Sequence, residues 1–396
     1  MNQLQGELAR VQRELKESKP APSGSMAAVS PAEAAGASTA AAENGSPENA
    51  AGSVKNFLAS TNVTGFVDGY YDYNFNQPHS LVTPYRSFEG PTNQFSLNMI
   101  ELIFDRPAQA DKGRLGYRLA FGYGNAMNAI NAADPGGLGF AQYLKEGYLS
   151  YLAPVGKGLQ FDFGKFVTPH GAEVIESKDN WNYTRGILFG YAIPYYHFGL
   201  RAKYSFNDKA WMAGYVVNGW NNIVDNNSGK TYGVSFGWTP SSKFSLVQNY
   251  MAGPEMAGTN SNWRQLSDTV VTVSPTRRLS FMLNYDYGRG DRLAELLDPV
   301  NWQGWAGYVR YAVTDHNAFA ARYEWYDDPE GFTTGVAQQL KEFTTTYEHR
   351  IGSGFITKLE FRRDYSNQPT FVKGSVPAAA QNTMAAGLVY AFDARE

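Results

Sequence analysis

The sequence predicts an all-β chain, an antiparallel transmembrane β-barrel of about sixteen strands with a short N-terminal helix. Three observations predict it. From residue 62 onward, apolar and polar side chains alternate with period two in segment after segment. The connections between these segments alternate between short and long, as in membrane barrels with short periplasmic turns and longer outer loops. In several segments one side is apolar while the other carries Lys, Arg, Asp or Glu, and a Lys or Arg facing lipid at the midplane costs ~2–4 kcal/mol.

Composition agrees. The chain has 396 residues, 15% of them aromatic, with 26 Tyr, 24 Phe and 8 Trp. Charged residues are 18%, below the ~25% of a typical soluble domain. Lys and Arg (34) nearly balance Asp and Glu (37), which argues against a nucleic-acid partner. There is no Cys, so disulfide frameworks, zinc knuckles and thiol nucleophiles are excluded. No run of ~18 apolar residues offers a transmembrane helix, whereas a barrel strand needs only ~10 alternating ones. Met1 is followed by neither a basic region nor an apolar run, so an exported chain of this sequence is expected to be a processed form.

The elements follow in order. In residues 1–19, Leu4, Leu8, Val11 and Leu15 form a short amphipathic helix with a two-heptad seam. That seam reads either as a small coiled coil supporting an oligomer or as a fraying helix, because helices of ~12–15 residues are marginal alone. Residues 20–55 are rich in Ala, Ser, Pro and Gly and read as a disordered linker. The barrel is assigned to 56–396. Its segments are 62–75, 94–104, 114–124, 142–152, 159–166, 196–206, 210–218, 230–238, 243–252, 263–273, 278–288, 302–312, 317–326, 338–349, 354–365 and 382–392. Alternation weakens in the ninth and fourteenth, which leaves fourteen and eighteen as alternative counts.

The faces divide cleanly in three segments. The third sets Leu115, Tyr117, Leu119, Phe121 and Tyr123 against Arg114, Gly116, Arg118, Ala120 and Gly122. In the sixth, Phe198, Leu200, Ala202, Tyr204 and Phe206 oppose Gly199, Arg201, Lys203 and Ser205. The fifteenth sets Phe355, Thr357, Leu359 and Phe361 against Ile356, Lys358, Glu360, Arg362 and Asp364. The charged faces are therefore expected to point inward, toward water. The second segment fits badly, because Glu101 shares a face with Leu97, Met99 and Ile103; a bulge near Ile100 would turn it inward. Aromatics crowd the segment ends at Tyr70, Tyr71, Tyr73, Trp211, Trp238, Trp302, Trp305, Trp325, Tyr326, Tyr390 and Phe392, and read as interfacial girdles.

Two runs are more specific than barrel texture. One is Gly164-Lys165-Phe166-Val167-Thr168-Pro169, continuing to Gly171-Ala172-Glu173. The other is Val217-Asn218-Gly219-Trp220. With the sequence around them they resemble the OmpL-like β-barrel porin family, over roughly 57–392. The resemblance implies a channel in the bacterial outer membrane and carries over no assigned functional residue; apart from it, no enzymatic activity and no cofactor are expected. One departure concerns the membrane-insertion signal: such barrels usually end on their last aromatic, whereas Asp393-Ala394-Arg395-Glu396 follow Phe392.

Candidate site residues fall in two groups. The longest connection, 167–195, is the third long one, and in general porins that loop narrows the pore. Its charges are His170, Glu173, Glu176, Lys178, Asp179 and Arg185. By analogy they form a constriction rim; the other reading is a loop folded on the barrel top or against a neighbouring subunit. Candidate pore-lining charges are Arg118, Glu146, Asp162, Arg201, Lys203, Asp286, Arg322, Glu324, Lys358, Glu360 and Arg362. Neighbours such as Arg322 and Glu324 also read as wall-stiffening pairs. The two signs nearly balance, so cation and anion preference both stay open. No Ser-His-acid spacing or HExxH run appears, and His197 and His349 are the histidines in strands, both expected to face inward. No metal site is expected. The expected function is passive passage of small hydrophilic solutes or ions, with outer-membrane lipid outside and a homo-oligomer, a trimer by analogy. The alternative is a barrel with a plugged lumen that acts in surface binding, adhesion or structure.

Overall fold

In the computed structural model, which describes residues 60–290 and 299–394, the alternating segments close on themselves. Residues 1–59, with the expected helix, the whole linker and the first four residues assigned to the barrel, lie outside the described residues. The wall begins with β1 (Asn62–Asn74), β2 (Gln94–Arg106), β3 (Leu115–Tyr123), β4 (Leu144–Ala153) and β5 (Leu159–Val167). It continues with β6 (Tyr196–Asn207), β7 (Ala210–Val217), β8 (Thr231–Ser241), β9 (Phe244–Pro254), β10 (Trp263–Val273) and β11 (Leu279–Gly290). Then come β12 (Val300–Ala312), β13 (Asn317–Asp328), β14 (Gln338–Ile351) and β15 (Phe355–Ser366). A small hairpin, β16 (Phe371–Lys373) and β17 (Val376–Ala378), sits in the last long connection, and β18 (Ala380–Asp393) completes the wall. Sixteen strands form the closed barrel, each antiparallel to its neighbours, and β18 pairs with β1 through contacts such as Val67↔Tyr390. The wall thus settles the count at sixteen. Closure satisfies every strand edge, which the hydrocarbon core requires.

The period-two pattern sets the faces. On β14, Leu340, Glu342, Thr344, Thr346 and Glu348 are buried, while Gln339, Lys341, Phe343 and Thr345 between them are exposed. On β15, Ile356, Lys358, Glu360, Arg362 and Asp364 are buried and Leu359 and Phe361 exposed, as the sequence requires. Short turns carry the residues that sharp reversals need: Gly156 and Gly158 in the turn after β4 have φ of 56° and 113°. The long connections hold three short helices, α1 (Asn125–Asn131), α2 (Leu138–Ala141) and α3 (Ile187–Tyr191).

Three expectations are corrected. The bulge in β2 lies at Asn98, not near Ile100: Asp68 pairs with Met99 and Gly69 with Leu97, leaving Asn98 extra. Glu101 is buried inside as expected, but Met99 is buried with it. A second bulge, unforeseen, falls on β4, where Glu146 pairs with Ala120 and Leu144 with Phe121, so Lys145 is extra. Both bulges put a polar side chain inside that strict alternation would have sent to lipid.

The aromatic residues do not all form girdles. Tyr70, Trp302 and Tyr326 point inward and are buried, and Trp211 faces an interior cavity. Tyr71, Tyr73, Trp238, Trp305, Trp325, Tyr390 and Phe392 lie on the outward rows. His197 is inward and buried, but His349 shares the outward row of β14 with Tyr347 and hydrogen-bonds Asn317 at 2.9 Å, because the buried row there is the even-numbered one.

Candidate functional site

The residues 167–195 leave β5, cross the interior and rejoin the wall at β6. Their backbone offers many polar groups, and inward charges on the wall meet them. Glu360 accepts hydrogen bonds from the Tyr183 and Thr184 amides, at 2.6 and 3.0 Å, and from the Thr184 hydroxyl. Lys358 donates to the Ser177 and Asn180 carbonyls, at 2.8 and 2.5 Å. Arg362 donates to the Arg185 carbonyl at 2.7 Å and to Asp364 at 2.8 Å. Arg322 ties both levels together: it reaches Glu342 on the wall at 2.6 Å, Glu173 of the loop at 2.5 Å and the Thr184 carbonyl at 2.7 Å. Glu324 accepts from the first amides of α3, Ile187 at 2.7 Å and Leu188 at 3.3 Å, where the helix leaves its N–H groups unsatisfied.

The rest of the wall holds the loop too. Asp68 on β1 accepts from the Tyr183 hydroxyl at 2.7 Å and from Ser177 at 2.6 Å. Lys145, the bulge residue of β4, is paired with Glu176 of the loop and with Glu101. Asn249 on β9 donates to the Pro169 carbonyl at 2.9 Å, and Asn284 on β11 accepts from the Ala172 amide at 2.9 Å. Trp302 on β12 donates to the Ala192 carbonyl at 3.0 Å. Space for the loop comes from small wall residues: a Cβ at Gly387 of β18 would overlap the ring of Tyr183, which is fully buried.

A second segment joins it. The first long connection, 76–93, also turns inward, which sequence reasoning missed. Arg86 reaches Asp364 at 2.8 Å and Thr383 at 3.0 Å. Glu89 pairs with Arg185 at 2.9 Å, and Phe88 packs against Phe189 and Tyr195 with ring centroids 5.7 and 5.4 Å apart. Burial pushes the Glu89 carboxyl up to about 7, with Arg185 opposing. The signal that could have found this segment is Arg86-Ser87-Phe88-Glu89 itself, an aromatic between opposite charges in a loop otherwise polar and turn-like.

The candidate charges therefore fall into two environments. Arg322, Glu324, Lys358, Glu360, Arg362 and Asp286 are buried at the level of the inserted loop, with Glu173, His170 and Arg185 buried in the loop itself. Burial, reinforced by the neighbouring His197, holds His170 down to about 3, so it is neutral at ordinary pH. Arg118, Arg201 and Lys203 stay accessible nearer the short turns, with Glu146 and Asp162 behind the arginines. Lys178 and Asp179 pair with each other at 2.6 Å, the latter half exposed. Glu176 pairs with Lys145. Under the start of the loop an open cavity of about 530 Å³ runs along β5 to β11, with Gln160, Arg201, Lys203 and Trp211 on its wall and Pro169, Gly171 and Ala172 on its loop side. Among the described residues, no group of three or more His, Asp or Glu side chains is placed to hold a metal ion.

A closed sixteen-stranded barrel with a long loop folded into a charged interior is a channel architecture, and the sequence places it further. Residues 60–392 match the putative beta-barrel porin-2, OmpL-like family. The chain belongs to this porin family. It is an outer-membrane porin of bacteria, a passive diffusion channel and not an enzyme. No curated protein matches the chain by sequence. Solved structures share the fold at low identity. The outer membrane channel DcaP of Acinetobacter baumannii is 10% identical, with a TM-score of 0.56 over 84% of this chain and 97% of that one. An anion-selective porin from Comamonas acidovorans is 10% identical, with a TM-score of 0.57 over 84% and 99%. OmpT of Vibrio cholerae, in a trimer form, is 12% identical, with a TM-score of 0.53 over 84% and 99%.

Proposed function

We propose that this porin passes small hydrophilic solutes and ions through a lumen narrowed by residues 167–195, that Arg118, Arg201 and Lys203 line the open part with Glu146 and Asp162 buried behind the arginines, and that it works as a homotrimer in outer-membrane lipid. The supporting observation is the loop's course. It is hydrogen-bonded or paired to β1, β4, β9 and β11 to β15, yet leaves the 530 Å³ cavity beside β5 to β11. A loop pinned on so many sides narrows the passage by a fixed amount. In this reading Arg322, Glu324, Asp286, Lys358, Glu360 and Arg362 hold the constriction, while Glu173, His170 and Arg185 belong to its anchored core. Glu176, Lys178 and Asp179 form its more accessible edge.

The test is single-channel conductance of the purified protein in planar bilayers, beside a variant lacking most of 167–195. Steps from the intact protein that grow in the variant support the reading. Silence from the intact protein, with steps only after the deletion, would overturn it in favour of a plugged barrel. The stacking of 76–93 onto the loop through Phe88 and Glu89 is the feature that favours that second reading. The trimer is checked separately by the mass of the detergent-solubilised particle.

A further inference from the structure

The sequence leaves the sign of ion preference open because its inward acids and bases nearly match in number. The structure separates them by accessibility. Along the cavity wall, Asp162 has a fully buried side chain, yet Arg201 in front of it stays 22% accessible and donates two bonds to it, at 2.9 and 2.7 Å. Ser150 and Gln160 complete the shell around the same carboxylate, at 2.6 and 2.8 Å. Beside this pair stands Lys203, exposed and joined to no carboxylate among the described ion pairs; its ammonium lies 4.5 Å from the Trp211 ring centroid.

The same arrangement recurs elsewhere on the lower wall. Glu348 of β14 is 6% accessible and lies behind Arg310 and Arg350, which are 28% and 44% accessible and reach it at 3.1 and 2.9 Å. Lys358 adds a third, buried cation to that carboxylate at 3.5 Å. Glu146, at 7%, lies behind Arg118, at 26%. Two carboxylates depart from this pattern: Asp105, which is 30% accessible and approaches the same arginine at 3.6 Å, and Asp179 on the loop edge, which is half exposed beside Lys178. Solvated cations in front of desolvated carboxylates set the field that a passing ion meets, and charges lining a pore sort ions by sign.

We propose that the accessible lumen on the side of the short turns favours small anions over cations, with Lys203 and Arg201 in the cavity and Arg310 and Arg350 on β12 and β14 as the determinants. The chemical class is a carboxylate- or phosphate-sized anion, attracted by the arginines in front of Asp162 and Glu348 and by the unpaired ammonium of Lys203. This inference rests on the channel reading above and deepens it.

The test is the reversal potential across planar bilayers holding the full chain, with a gradient of potassium chloride and no other solute. The expected result is an anion-to-cation permeability ratio above unity. In the double variant Lys203→Gln and Arg350→Gln the ratio should fall by about two-fold or more, as expected when charges lining a low-dielectric cleft are removed. These two positions are chosen because neither removal leaves a buried carboxylate alone: among the described residues Lys203 pairs with none, and Glu348 keeps Arg310 and Lys358. The effect should shrink at molar salt, where the screening length falls to about 3 Å. Open channels with a ratio of unity or below would overturn the inference while leaving the channel reading intact. A ratio above unity that the double variant leaves unchanged would overturn the assignment to these residues. No conductance from folded, inserted protein would overturn the channel reading first.

Discussion

The wall of β13 to β15 and the wall of β5 and β6 carry the same chemistry to different ends. Both present Arg, Lys and a carboxylate on the inward row. On β13 to β15 these side chains are buried and bonded to the inserted loop, as with Arg322, Lys358, Glu360 and Arg362. On β5 and β6 the cations Arg201 and Lys203 remain in the open cavity. The difference is depth relative to the loop. An inward charge in a barrel is a lining residue only where nothing covers it. Where a loop does, it becomes an anchor, and its electrostatics act on the protein instead of on solutes.

Removing an anchor should have the largest effect. Arg322→Ala removes the short-range cation from Glu173 and Glu342, both buried, leaving them the Gly186 amide and Arg362 at 3.9 Å, and breaking such a pair costs about 3–5 kcal/mol. The expected outcome is a lower thermal midpoint in detergent together with larger or noisier conductance steps; an unchanged midpoint would break the distinction between the two walls. Next comes Glu360→Gln, which weakens bonds to the Tyr183 and Thr184 amides without removing the side chain. A loss of about 1–3 kcal/mol is expected for under-satisfied buried groups, measured by urea-dependent unfolding in vesicles. Gly387→Leu tests the same anchoring through space alone, because the new side chain must displace Tyr183. It should raise proteolytic cleavage within 167–195 while leaving the strands protected.

A pH effect sharpens the comparison within the buried layer. The Glu89 carboxyl is held up to about 7, chiefly by burial, above its ordinary value. A group raised in the folded state contributes fully below its ordinary value, and that contribution is lost as pH rises through the folded one. The protection factors of residues 82–92, with base-catalysed intrinsic exchange divided out, should therefore fall several-fold between pH 5 and pH 8, and Glu89→Gln should flatten that profile. The smallest effect belongs to the open wall: Lys203→Gln should leave thermal stability within about 0.5 kcal/mol, as surface changes usually do.

The wall was legible in the sequence because lipid enforces it. A charge on the wrong row of β15 would face hydrocarbon, so alternation has to be strict there, and the strand limits follow. The bulges were less legible: Glu101 announced one, but only pairing with β1 shows that Asn98 is the extra residue. The fate of the interior was least legible. Residues 167–195 have no period to read, since their backbone groups are satisfied one at a time by side chains from distant strands. For the same reason no period in the sequence singles out Arg86 and Glu89, and Trp302 reads as a girdle residue, although all three are buried inside.

The seam between β1 and β18 has a consequence for biogenesis. Val67 meets Tyr390 there, so the first strand waits for the last. Until the final strand is delivered, both ends of the sheet carry a row of unpaired amides and carbonyls, which hydrocarbon does not tolerate. Closing a loop this long also costs more entropy than any local hairpin in the wall. Insertion therefore cannot be completed strand by strand from the N-terminus in bare lipid. The two edges therefore have to meet, with residues 383–393 paired to 64–74, before either is left facing hydrocarbon.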